Sequence, residues 1–212
     1  MEQSGTISSR ELSNQSGVPD DDATLVFAVQ KGDLDAFERL VARHQKRMLN
    51  VSFRILNDFD EACEVVQDGF LSAYKHIKTF RGEAKFTTWL TTIMLNLSKN
   101  RLTQMRSRTS RNAFSLDDPI ETDHGTMAAE FSSGAPTALD RLETRDVQRG
   151  VQDCIKALEQ DFREVLVLRD MQDFSYEEIG GMLRLREGTV KSRLFRAREM
   201  VKDCLKKYWR NS

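Results

Sequence analysis

Apolar residues recur at helical spacing over most of the chain, interrupted at a few places. The cluster Asp20-Asp21-Asp22 suits a helix N-terminus, where carboxylates meet the positive end of the peptide dipoles. After a break at Gly32-Asp33, a stripe of Phe37, Leu40, Val41, Met48, Val51, Ile55 and Leu56 predicts a long core-facing helix. His44 falls on that stripe and is expected to pack there, since neither other histidine stands at ligand spacing. The stretch DEACEVVQDGFLSAYKHI continues the period, with Cys63, Val66, Phe70, Ala73, Tyr74 and Ile77 expected on the packed face. Its other face carries Asp60, Glu61, Glu64, Gln67 and Asp68. Gly82 breaks the pattern. A fourth helix begins near Phe86, turns Trp89, Leu90, Ile93 and Leu97 inward, and becomes polar and basic beyond Asn96.

Periodicity then disappears from about 111 to 137, where Ser, Gly, Pro and acidic residues accumulate, and returns near Ala138. The expected architecture is all-α. Residues 1–20 form a disordered N-terminal extension, 21–110 a four-helix domain, 111–137 a flexible acidic linker, and 138–212 a second, smaller helical domain. No apolar run approaches the roughly 20 residues needed to span a bilayer, and the N-terminus lacks a signal-peptide pattern. The three cysteines, Cys63, Cys154 and Cys204, form no CxxC pair, so ordinary thiols in a cytoplasmic protein are expected, with no metal site and no disulfide.

The formal net charge of −1 hides a sorting of charge along the chain. Lys99, Arg101, Arg106, Arg108 and Arg111 lie in one segment without a single acid. Arg184, Arg186, Lys191, Arg193, Arg196 and Arg198 lie in another, opposed only by Glu187. Between Asn112 and Asp140 there is no Lys or Arg. A polyanion senses local patches, so two basic segments point to nucleic acid despite the balanced total.

The second basic segment has a defined form. In SYEEIGGMLRLREGTVKSRLFRAREM, Ser175 and Glu178 stand at capping-box spacing before a short amphipathic helix. A turn spans roughly Arg184 to Glu187. The next helix has Val190, Leu194, Ala197, Val201 and Leu205 on one side, with Thr189, Lys191, Ser192, Phe195 and Arg196 opposite. Two short-coupled helices, the second basic near its start, describe a helix-turn-helix whose second helix fits the major groove. Gly180 and Gly181 are expected to let the two helices approach closely.

The segment ALEQDFREVLVLRDMQDFSYEEIGGMLRLREGTVKSRLFRARE resembles the fourth conserved region of bacterial RNA polymerase sigma factors of the extracytoplasmic-function (ECF) subfamily. DEACEVVQDGFLSAYKHIKTFRGEAKFTTWLTTIMLNLSKNRL resembles the second region of the same family. With the helices before each segment, the resemblance covers roughly residues 22–110 and 138–206. It implies a dissociable promoter-specificity subunit that binds bacterial core RNA polymerase at its clamp and flap, recognises and melts promoter DNA, and is held in check by an anti-sigma factor. No bond-making chemistry, cofactor or small-molecule substrate is implied.

Residue by residue, the resemblance assigns Glu64, Gln67, Asp68 and Phe70 to polymerase docking. It assigns Phe80, Arg81, Asn96, Lys99, Asn100 and Arg101 to the minus-ten element. Thr189, Lys191, Ser192, Arg193, Phe195 and Arg196 go to the minus-thirty-five element. Asn96 and Asn100, one turn apart, can each donate to and accept from a base edge, while Lys99 and Arg101 suit the backbone. The chain departs from the family pattern at Arg184, where Gly is frequent, and at Arg186, where Pro or Ser is common. A non-glycine residue in a left-handed turn costs on the order of 1 kcal/mol. Gly69, inside a helix, is a further oddity at about 1 kcal/mol relative to Ala.

An enzyme is not supported: the sequence has no phosphate-binding loop, zinc spacing or nucleophile motif. Two other readings fit the residues alone. One is a stand-alone helix-turn-helix regulator. The other is a helical adaptor with merely solvated basic faces, whose interactions would ignore salt.

Overall fold

The structure, a computed structural model, describes residues 22–112 and 138–210, with the backbone alone at 109–112 and 138–146. The expected N-terminal extension lies outside the described residues, as does the expected linker apart from residues 111 and 112, which still belong to a helix. Eight α-helices are described: α1 (Asp22–Gln30), α2 (Leu34–Leu56), α3 (Phe59–His76), α4 (Phe86–Asn112), α5 (Ala138–Lys156), α6 (Gln160–Leu166), α7 (Tyr176–Leu183) and α8 (Glu187–Arg210). A 3-10 turn follows α3, and a π-helical turn, Val167–Met171, prolongs α6.

Short polar side chains set the helix starts. Asp33 caps α2 by accepting from the Ala36 N–H at 3.0 Å, and Asp58 caps α3 by accepting from the Glu61 N–H at 3.0 Å. Between them Asn57 takes the left-handed conformation that ends α2. Gln30 donates to the carbonyls of Ile77 and Phe80 at 2.8 and 2.9 Å, tying α1 to the loop beyond α3. His44 is buried, as its stripe predicts, with Nε2 2.9 Å from Asp22 Oδ2 and its ring against Phe86.

Helices α1–α4 enclose a core of Leu25, Val29, Leu40, Met48, Phe70, Ala73, Ile77, Phe86, Leu90 and Met94. Gly69 has a neighbour here: a Cβ on it would meet Met94 Sδ at 2.3 Å, so the end of the Met94 side chain from α4 lies in the space that a side chain at 69 would take. On α4 the fully buried positions are Leu90, Thr91, Met94, Leu95 and Ser98, while Trp89, Ile93 and Leu97 are half-buried. The packed face is therefore rotated slightly from the one expected.

The C-terminal helices do not stand apart. Val51 and Ile55 of α2 and Leu95 of α4 share one apolar cluster with Ile155, Leu158, Val165, Val167, Leu168, Ile179, Val190 and Leu194. The stripe on α2 is thus shared: Leu40 and Met48 join the core with α1, α3 and α4, Val51 and Ile55 join the cluster with the C-terminal helices, and Leu56 packs with Ala62, Val65 and Leu102. Polar bonds border this joint. Arg47 donates to the Gln172 side chain at 2.9 Å, and Thr88 donates to Glu178 at 3.0 Å. Lys99 pairs with the buried Glu164 at 2.8 Å.

The cysteine expectation is corrected. Cys154 and Cys204 form a disulfide that joins α5 to α8, with Cα atoms 5.7 Å apart. Only Cys63 is free. The two partners lie 50 residues apart in sequence, and antiparallel packing of α5 on α8 brings them together. Gly150, which nests against the Tyr208 ring, supports the same contact. Opening this link by reduction or by Cys204→Ser removes roughly 2–4 kcal/mol of stability. The expected result is a thermal unfolding midpoint lower with dithiothreitol than without it. Coincident midpoints for the oxidised protein and the Cys204→Ser variant would exclude the crosslink.

Candidate nucleic-acid and polymerase interfaces

The helix-turn-helix forms as its sequence dictates. Ser175 Oγ accepts from the Glu178 N–H at 3.1 Å, and the Glu178 carboxylate accepts from the Ser175 N–H at 2.9 Å, completing the capping box. Helix α7 ends at Arg184, which takes φ 55°, ψ 45°, the left-handed conformation that glycine adopts without penalty. The Leu185 N–H donates to the Gly180 carbonyl at 2.9 Å, drawing the turn against α7. A Cβ on Gly180 would sit 2.9 Å from the Leu185 carbonyl oxygen, whereas one on Gly181 would meet nothing. Close approach therefore belongs to Gly180 alone.

Val190, Leu194 and Ala197 of α8 are buried against α6 and α7, leaving the opposite side to solvent. Lys191, Ser192, Phe195 and Arg196 are exposed together there, Phe195 at 68%, with Thr189 half-buried beside them. The Phe195 ring thus stands in solvent between Lys191 and Arg196, two turns into α8. Lys191 pairs with Glu187 at 2.6 Å, and that bond raises its pKa above the ordinary lysine value. Arg193 turns away from the others to meet Asp161 of α6 at 2.7 Å, so it braces the helix. Arg198 likewise holds Asp170 at 2.5 Å.

On α4, Asn96 and Asn100 are exposed on one face, as their spacing requires. The other residues expected with them are dispersed. Lys99 is held by Glu164, and Arg101 forms ion pairs with Glu61 at 3.0 Å and with Glu64. Phe80 is half-buried, its ring 5.1 Å from Trp89 and 6.0 Å from Phe86. Arg81 is exposed beside Gly82, whose φ of +75° allows the loop to turn.

On α3, Glu64, Gln67 and Asp68 are exposed, but Phe70 is 7% exposed and belongs to the core. Counting from Glu64 in steps of three and four gives Gln67, Asp68, Leu71 and Tyr74, and this is the observed open face. Leu71 and Tyr74 are exposed at 58% and 44%, with Tyr74 leaning on Phe37. Sequence reasoning had put Tyr74 on the packed side. The signal that could have corrected it is Gly69, which marks where α3 meets α4. Among the described residues there is no cluster able to hold a metal ion, and no helix is long and apolar enough to cross a membrane.

Two changes test the geometry of the turn. Gly180→Ala forces the Leu185 carbonyl away and should destabilise the C-terminal helices by about 1–3 kcal/mol, measured by thermal unfolding. Glu178→Gln tests the cap charge. Burial acts to raise the Glu178 pKa, but the Ser175 and Thr88 hydrogen bonds and the Lys85 charge outweigh it and leave it below the ordinary glutamate value. A depressed carboxylate stabilises above its unfolded pKa and loses that contribution as pH falls through the folded value. Glu178→Gln should thus cost about 0.3–1 kcal/mol at pH 7, and the cost should shrink as the pH falls below the ordinary glutamate range and through the depressed folded value.

Comparison with known proteins agrees with this arrangement. Residues 40–109 match the family model for Sigma-70 region 2, and residues 148–201 match that for Sigma-70, region 4. The chain is 36% identical over 190 residues to the RNA polymerase sigma-H factor of Pseudomonas aeruginosa, covering 87% of this chain and 93% of that protein. It is 36% identical over 182 residues to the ECF RNA polymerase sigma-E factor of Haemophilus influenzae, covering 86% and 94%. The solved structure of CnrH in complex with the cytosolic domain of CnrY has the same fold, with TM-score 0.62 and 24% identity over 88% of this chain and 97% of that one. The sigma factor RpoE bound to the anti-sigma factor NepR from Bartonella quintana is similar at TM-score 0.61 and 24% identity, covering 82% and 98%. With both conserved regions in order and relatives matched along most of their length, the chain belongs to the ECF subfamily of bacterial RNA polymerase sigma factors.

Proposed function

We propose that this sigma factor divides its work among three open faces. The face of α8 bearing Thr189, Lys191, Ser192, Phe195 and Arg196 reads the minus-thirty-five element from the major groove. Lys191 and Arg196 supply phosphate and base contacts, and Phe195 covers a sugar or base edge. Asn96 and Asn100 of α4 read exposed bases of the minus-ten element, with Arg81 on the backbone. Phe80, edge-on to Phe86 and tilted against Trp89, shapes the wall beside an unstacked base. Arg193 positions α8 through Asp161 and does not read sequence.

Glu64, Gln67, Asp68, Leu71 and Tyr74 of α3 form the polymerase-docking face. An acidic, amide-bearing rim around two exposed apolar side chains suits a basic partner helix on the clamp, with Leu71 and Tyr74 as anchors. The protein works in the cytoplasm, where the polymerase is. Two solved relatives of the same fold are bound to partners, the RpoE protein to the anti-sigma factor NepR and CnrH to CnrY. We extend control by an anti-sigma factor to this chain. The observation that carries the reading is the exposed set on α8, where Phe195 and Arg196 face solvent beside Lys191, itself tied to Glu187, on a helix supported from behind.

The test is run-off transcription with bacterial core polymerase on a pool of promoter fragments. Start sites that require the protein and share two upstream elements at fixed spacing are expected. Arg196→Ala should reduce promoter-specific binding by about 1–3 kcal/mol if the guanidinium reads a guanine. A uniform loss on unrelated sequences would restrict it to phosphate. No polymerase-dependent starts, with tight binding of the protein alone to duplex DNA, would overturn the reading.

A further inference from the structure

The crosslink between Cys154 and Cys204 is out of keeping with a reducing compartment. Where glutathione keeps thiols reduced, disulfides are usually transient and serve catalysis or redox sensing. The pair here has the layout of the second kind. Cys154, in the last turn of α5, is buried, while Cys204, near the end of α8, is half-buried. Their Cα atoms stand 5.7 Å apart. Small oxidants and thiols thus reach the bond from the Cys204 side, and Cys154 is screened.

The helix contact does not depend on the bond. Ile155 and Leu158, which follow Cys154, share an apolar cluster with Val190, Leu194 and Ala197 of α8, and the Tyr208 ring lies against Gly150 of α5. A thiol at 154 is still a small apolar core residue. The two sulfurs therefore stay neighbours when the bond is open, ready to close again. What is lost on opening is the covalent hold on the far part of α8, the helix that exposes Lys191, Phe195 and Arg196. Cys63 provides an internal comparison. It is free, and burial and then the Asp60 charge raise its pKa, which leaves it little reactive thiolate.

We propose that Cys154 and Cys204 are a reversible oxidation site, a dithiol at rest and a disulfide after exposure to hydroperoxide, and that closing it strengthens promoter binding by fixing α8 on α5. A hydroperoxide oxidises the Cys204 thiol, through its thiolate, to a sulfenic acid, as the O–O bond breaks and an alcohol or water leaves. The Cys154 thiol attacks that sulfur, the S–O bond breaks, and the oxygen leaves as water with the Cys154 proton. Two electrons pass from the two thiols to the peroxide. Two molecules of glutathione reverse the change and leave as glutathione disulfide. The transcriptional effect rests on the sigma-factor reading of α8, while the thiol chemistry does not.

The experiment reads thiols and transcription in the same full-length protein. Reduced protein is treated with hydrogen peroxide, freed of it, and labelled with a maleimide that adds mass at each remaining thiol. Labelling of Cys63 alone is expected, with all three cysteines labelled again after excess reduced glutathione. Run-off with bacterial core polymerase, at limiting protein, should be about two- to fivefold higher for the oxidised form. Cys204→Ser should ignore peroxide and give the reduced level, and Cys63→Ser should respond as the wild type does. Three open thiols after peroxide, or a crosslink that survives excess reduced glutathione, overturns the proposal without any variant. A reversible crosslink with equal run-off in both forms overturns the switch. Absence of run-off from both forms is failure of the functional reading, and labelling still decides the oxidation site.

Discussion

One buried cation links the parts of this molecule. Arg163, at the start of α6, donates to the carbonyls of Lys156 and Leu158 at 2.6 and 2.8 Å, and to that of Ile55 at 2.8 Å. The first two close the turn from α5 into α6, and the third reaches α2 in the other half. Burial, and then the charge of Arg106, lower its pKa, with Glu164 opposing both. The group nevertheless stays cationic, as a guanidinium does in proteins. A desolvated charge of this kind is tolerable only where several dipoles converge on it. The carbonyls at the end of α5 and at the end of α2 must therefore point to one spot, and that requirement fixes how the two halves meet.

The consequences spread outward through α6. Its apolar residues support α8 from behind, its Asp161 holds Arg193 from the side, and Asp170 of the π-helical turn that follows holds Arg198. The exposed residues of α8 are thus presented by a frame that Arg163 anchors. The same helix offers Glu164 to Lys99. The frame behind α8 and the tie to α4 thus come from neighbouring residues, Arg163 and Glu164, of a single short helix.

Much of the fold was legible in the sequence, because amphipathic stripes, Asp and Ser caps and a capping box are local signals. The helix-turn-helix was readable almost to the residue for that reason. The period put both Phe70 and Tyr74 on the packed face, and the resemblance also put Phe70 in the docking set; Phe70 is core and Tyr74 is open, because an aromatic side chain on a helix fits either the core or an interface. Only the α3–α4 approach at Gly69 decides which. The disulfide escaped because two distant cysteines carry no pairing information until α5 and α8 are seen to pack. The joint between the halves escaped for a subtler reason. Val51, Ile55 and Leu95 read as ordinary core positions, and hydrophobic periodicity says that a face is covered without saying by what.

Helix α8 is one unbroken rod from Glu187 to Arg210, fastened near its far end by Cys204. From Cys204 to Thr189 it extends about 22 Å at 1.5 Å per residue, so a tilt of about 5° around that anchor would carry Thr189 through about 2 Å. Direct base contacts tolerate far smaller errors of position. Two ion pairs, one to α6 and one to the π-helical turn after it, stand along the rod between pivot and tip, at Arg193 and Arg198. They act as guy-ropes, converting a covalent hinge into a cantilever. If α8 reads promoter DNA as proposed, its angular stiffness bounds promoter discrimination, and side chains that never meet a base help to set how finely one sequence is distinguished from another.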